Sequence, residues 1–188
     1  YNGFIPFCVY TTYFTLPKIL EWLKGIWTIM NQKNKAVVML TYSEILYSSI
    51  QSPYKKEARE ALDICWQWIE TENVSGEDIY FHLDDGTDFG GIYILMQMDE
   101  KDENIIIWDD LSYALSYTDY LAYQKDGQMA VPAPIENVDD SIYDLFISNL
   151  ENIDTKLVQH LELILNFVTS QNPSKQATIE FLENNDLI

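Results

Sequence analysis

Residues 108–124 read WDDLSYALSYTDYLAYQ, and their periodicity decides the fold class. Trp108, Leu111, Leu115, Thr118, Leu121 and Ala122 recur mainly at spacings of three and four, the signature of one helix face. Strand alternation would place apolar residues at every second position, and this stretch does not.

Working back from it, residues 53–72 carry a second stripe of the same kind: Ala58, Ala61, Leu62, Cys65, Trp66 and Ile69. Ser52-Pro53 predicts an N-cap and a first-turn proline for that helix. Trp68 lies about 200° around the helix from Trp66, so it is expected to pack against another element or to face a partner. Asn73 and Val74 form a turn, and Ser75 followed by Asp78 predicts a capping box opening a short helix, GEDIYFHL.

Earlier in the chain, Leu16-Pro17 predicts a helix to about Asn31 with Leu20, Leu23, Ile26, Trp27 and Met30 on one side. AVVMLTYSEILYSSI, residues 36–50, is ambiguous between helix and strand at its start. Later, Lys125 to Ile135 reads as a loop, and Asp139 or Asp140 as the cap of a helix carrying Ile142, Leu145, Phe146 and Leu150. One longer helix is expected around Leu157, Leu161, Ile164, Leu165 and Val168, with Asn172-Pro173 capping the last one. Residues 84–104 are the hardest to assign and the fold of residues 86–107 stays open, because GIYILMQM, DEKDEN and IIIW suit either a hairpin with an acidic turn or the end of one helix and the start of another. The expected fold is therefore mostly α, a single-domain multi-helix bundle over residues 1–188, leaving room for a short β-hairpin around residues 90–107.

With 188 residues, 47% of them hydrophobic, the chain is long enough to bury one substantial core, and no charge-free apolar run reaches membrane-spanning length. The opening YNGFIPFCVYTTYF lacks a basic n-region, so no export signal is expected. Cys8 and Cys65 could pair only if the fold brought them together, and a core of this size needs no disulfide, which favours a reduced cytoplasmic protein.

Charge is distributed unevenly. Residues 1–74 hold seven acidic and seven basic side chains, whereas residues 75–188 hold 23 acidic and four basic. The net charge of −19 thus lies wholly after the opening stretch. It disfavours direct binding to nucleic acid or anionic membranes and favours capture of a basic partner.

Motifs for catalysis are missing: there is no Gly-rich phosphate loop, GxSxG elbow, CxxC pair or HExxH. His82 beside Asp84 and Asp85 could begin a hard-metal site for a hydrolase, but neighbours in sequence rarely converge on one centre. His160 reads as structural and Cys65 as a small buried hydrophobe. No cofactor or metal is expected, and no enzyme. What stands out is nine carboxylates within 27 residues, Asp84, Asp85, Asp88, Asp99, Glu100, Asp102, Glu103, Asp109 and Asp110, interrupted by one lysine. So dense a set is expected to face water. It flanks Phe89, Tyr93, Trp108 and Tyr113, candidate aromatic anchors for an acid-rimmed interface.

The words CWQWIETENVSGEDIYFHLDD, the apolar run ending in LMQM, the acidic break, DDLSYALSYTDYLAY and PAPIENVDDSIYDLF together resemble the mostly all-α immunity-protein family of bacterial polymorphic toxin systems, over about residues 53–150. The resemblance implies a cytoplasmic, non-enzymatic inhibitor of a cognate toxin domain. Many such toxins are nucleases with basic substrate grooves, which the acidic face would occlude. The expected contact residues are the nine carboxylates and Trp108. The competing reading is a helical adaptor unrelated to toxins, its charge serving solubility alone.

Overall fold

AVVMLTYSEILYSSI is helical up to Ser49, as part of α1 (Gln32–Ser49). Its ambiguity has a physical source: side chains from Lys35 to Leu46 are buried all round the helix, so no polar stripe marks a period. The hydroxyls on this helix turn inward on its own carbonyls, Thr41 Oγ1 to Val37 O at 2.7 Å and Ser43 Oγ to Met39 O at 3.0 Å. The computed structural model describes residue 25, residues 30–128, 130–139 and 141–188. The helix expected over Leu16 to Asn31, apart from Gly25, Met30 and Asn31, lies outside the described residues, as does Cys8.

Residues 32–188 form one compact unit. After α1 come α2 (Lys55–Thr71), α3 (Gly76–Leu83), α4 (Ile92–Met98), α5 (Asp102–Asp126), α6 (Ala133–Glu136), α7 (Ile142–Ile153), α8 (Thr155–Gln159), α9 (Leu161–Gln171) and α10 (Lys175–Asn184). There is no strand among the described residues. None of the described helices is long and apolar enough to cross a membrane.

Residues 90–107 therefore hold no hairpin. Ile92 and Leu95, three apart, form the buried side of α4, a helical and not a pleated spacing. The acidic residues that suggested a turn have another task, because Asp102 and Glu103 occupy the first turn of α5, where the helix dipole favours negative charge.

Caps account for the other boundary shifts. Ser52 accepts from Tyr54 N at 3.1 Å and forms a turn, so α2 starts at Lys55 rather than at Pro53. The capping box is present as expected: Ser75 Oγ accepts from Asp78 N at 3.1 Å, and Asp78 Oδ2 accepts from Ser75 N at 3.0 Å. Ser141 rather than Asp139 precedes α7, with Asp139 Oδ1 accepting from Ser141 N, and Asp140 lies outside the described residues. The long helix expected around residues 157–168 is broken at His160 into α8 and α9; the Leu157 carbonyl there accepts from His160 N at 3.2 Å and also from Tyr42 Oη at 2.8 Å, which ties the break to α1. Asn172 ends α9 in the left-handed conformation, and Ser174 caps α10 instead.

α5 is the axle of the bundle, packed by α1, α2, α3, α4, α6 and α7. Trp66, Trp108, Tyr42, Tyr117 and Phe146 are its neighbours' and its own largest fully buried side chains. α3 comes close to α5 at Gly76, where a methyl would stand 2.6 Å from the Tyr123 ring. Trp68, on the far side of α2 from Trp66, is also buried, which settles its role as packing. Cys65 is buried, and burial together with the nearby Asp119 pushes its thiol far above its ordinary range, leaving no nucleophile at neutral pH.

Candidate functional site

The nine carboxylates from Asp84 to Asp110 fall on three elements: the loop after α3, the link between α4 and α5, and the first turns of α5. The loop is organised by its own side chains. Asp84 Oδ1 accepts from Gly86 N at 3.0 Å, and Asp85 Oδ1 accepts from both Thr87 N and Thr87 Oγ1, at 2.9 and 2.7 Å. The Thr87 donors hold the Asp85 carboxyl below its usual range. Gly86 and Gly91 take positive φ, and a methyl on Gly91 would lie 2.6 Å from the Leu83 carbonyl, so this turn tolerates no side chain there. Asp88 and Phe89 stand exposed at its far side.

In the α4–α5 link, Asp99 differs from its neighbours. Its Oδ2 accepts from Trp108 Nε1 at 2.8 Å and Asn104 Nδ2 at 2.9 Å, while Oδ1 accepts from Lys101 N at 3.1 Å. Partial burial pushes this carboxyl up, but those donors and Ser52 outweigh it and hold it at about 2. Asn104 also donates to Gln51 O, so the cluster pins the α5 N-terminus to the turn before α2. Glu100, Asp102 and Glu103 are exposed, as are the apolar Met98 and Ile105 beside them. Asp109 is half-buried, which raises its pKa.

Two expected surface residues are core residues. Trp108 is fully buried, and Asp110, at 0% exposure, departs from the expectation that all nine carboxylates face water. Both lie on α5, against which six other helices pack, so its one-sided apolar stripe understated its burial. Burial pushes Asp110 up to about 8; Asn149 beside it opposes the shift without reaching good hydrogen-bond geometry. Tyr93 and Tyr113 are half-buried, so of the four candidate anchors Phe89 alone is fully in solvent. The sequence reading missed Asp119, also at 0% exposure, whose two carboxyl oxygens have no hydrogen-bond partner among the described residues and whose pKa burial raises to about 8. A signal for it existed: Asp119 is the sole charge between Leu111 and Gln124.

Among the described residues no group of three His, Cys, Asp or Glu side chains is placed to hold a metal, and the carboxyls beside His82 are turned onto Gly86 and Thr87. What distinguishes the segment is unbalanced charge. Among the described residues, none of the nine carboxylates from Asp84 to Asp110 makes an ion pair, whereas Glu44, Asp63 and Glu72 each do.

No curated protein and no solved structure matches this chain. A family model does: that described as immunity protein Imm6 matches residues 34–153, from α1 to the end of α7 and across the whole acidic segment, and the chain belongs to this immunity-protein family.

Proposed function

We propose that this chain binds a cognate toxin domain in the cytoplasm of the cell that makes both, and neutralises it by covering its basic substrate surface. The toxin is a nuclease of a polymorphic toxin system. Asp84, Asp85, Asp88, Glu100, Asp102, Glu103 and Asp109 form the acidic contact, with Asp99 holding its framework.

The observation that carries this reading is the absence of cationic partners for that segment among the described residues. Carboxylates neutralised within the fold would contribute little to an external field. Exposed and unpaired ones steer a basic protein toward the surface and raise the association rate. A nuclease groove must hold phosphates, so it presents the complementary charge. Inhibition then requires only occupancy, and no reaction.

Coexpression with the polypeptide encoded by the adjacent gene tests the proposal. Copurification of the two, with restored growth of cells that the neighbour alone kills, is the expected result. Failure of both would remove the toxin reading and leave an adaptor with a solubilising charge.

A further inference from the structure

Exposed large hydrophobic side chains are unevenly placed on this molecule. Of seven among the described residues, four fall within 25 residues: Phe81, Phe89, Met98 and Ile105. The others, Leu145, Leu163 and Ile188, are scattered singly, as on any soluble protein. The clustered four share their segment with the unpaired carboxylates. Phe89 is the extreme case, at 78% exposure, followed by Phe81 at 61%.

Phe89 is also held in place. Thr87 Oγ1 donates to Asp85 and accepts from Phe89 N at 3.4 Å, and the Asp85 carboxylate folds over Gly90, where a methyl would stand 1.9 Å from Asp85 Oδ2. Gly86 and Gly91 supply the left-handed turns on either side. A phenyl ring exposed on such a loop does nothing for the fold, yet its backbone is already ordered, which lowers the loop-ordering cost of binding.

We propose that Phe89 is the anchor of the toxin interface: it enters an apolar socket on the partner whose rim carries Lys or Arg facing Asp88. This rests on the toxin-binding reading above and adds a division of labour to it. The carboxylates bring the partner in, and the ring holds it. Charge complementarity fixes the occupant, because a second copy of a chain with net charge −19 would bring acid against acid.

Stopped-flow and surface-binding kinetics with the purified product of the adjacent gene separate the two roles. Phe89→Ala should raise the dissociation rate by about 30-fold or more, with the association rate and its salt dependence unchanged. Glu100→Lys, Asp102→Lys and Glu103→Lys combined should do the reverse. Since the ring touches solvent, Phe89→Ala keeps the wild-type unfolding temperature. A dissociation rate within twofold of wild type overturns the anchor while leaving the toxin reading intact. Absence of binding by the wild-type chain overturns both. A Phe89-dependent dimer in sedimentation would identify the socket as a second copy and also overturn the proposal.

Discussion

Two acidic regions of this molecule use the same functional group for opposite ends. Between α1 and α2, the buried Glu44 receives a two-pronged contact from Arg59, at 2.6 and 2.8 Å, and a third bond from Trp66 Nε1 at 2.8 Å. Arg59 also binds Asp63, which Lys175 binds from α10, and its guanidinium lies 4.8 Å from the Tyr47 ring centre. Glu72, which ends α2 in the left-handed conformation, is gripped by Lys33 and Lys125 and held at about 2. Between α3 and α5, the carboxylates have no such partners among the described residues. Acid that is spent internally fixes helices; acid left unspent is available to a partner. The contrast separates framework from surface without any knowledge of the toxin.

The comparison breaks most visibly at Arg59. Arg59→Ala leaves Glu44 buried without its counter-ion, and denaturant titration should show a loss of about 3 kcal/mol. A loss below about 1 kcal/mol would mean that the network is decorative. Asp99 is the exception inside the acidic segment. Asp99→Ala removes the acceptor for Trp108 Nε1 and should cost about 2 kcal/mol, measured the same way.

Asp110 and Asp119 sharpen the contrast from another side, as buried acids without a counter-ion among the described residues. Their folded-state pKa values, both about 8, lie above the unfolded range, so the folded state binds more protons between about pH 4 and pH 8. The stability they contribute is present at the acid end and is lost as pH rises through about 8. Replacing Asp119 with Asn should raise stability at pH 8 by on the order of 2 kcal/mol and flatten the pH profile, read from thermal unfolding across that range. An unchanged profile would show that Asp119 finds a donor in solution. The smallest effects on stability are expected from the exposed acids: Glu100→Lys should change it by under about 0.5 kcal/mol, and Asp102→Lys and Glu103→Lys, which put cations in the first turn of α5, by about 1 kcal/mol each.

Local signals proved the most readable parts of the sequence. The Ser75 and Asp78 capping box, the helix from Gly76 to Leu83 and the buried face of α2 each depend on residues within one or two turns. Long-range packing was harder to read. Trp108 and Asp110 sit on a helix enclosed by six others, and nothing in WDD says that both its apolar and its acidic positions will be covered. The DEKDEN run misled because a helix start and a hairpin turn both favour acid. For the candidate site, the sequence singled out the segment, and the structure divides it into the bracket at Asp99, the core residues Trp108 and Asp110, and a remainder that is exposed or half-buried. Phe89 emerged from four equal aromatic candidates only once exposure was known.

The central claim is that the unpaired acid from Asp84 to Asp109 meets a basic partner. The most direct measurement is calorimetric titration of the adjacent gene's product into the wild-type chain and into the combined Glu100→Lys, Asp102→Lys, Glu103→Lys variant, at about 50 and 200 mM salt. Asp99 is left intact so that the fold is preserved. The account predicts wild-type affinity that falls steeply with salt, and a variant that binds at least tenfold more weakly at the lower salt with a shallower dependence. Equal affinity and equal salt dependence in the two proteins would contradict it.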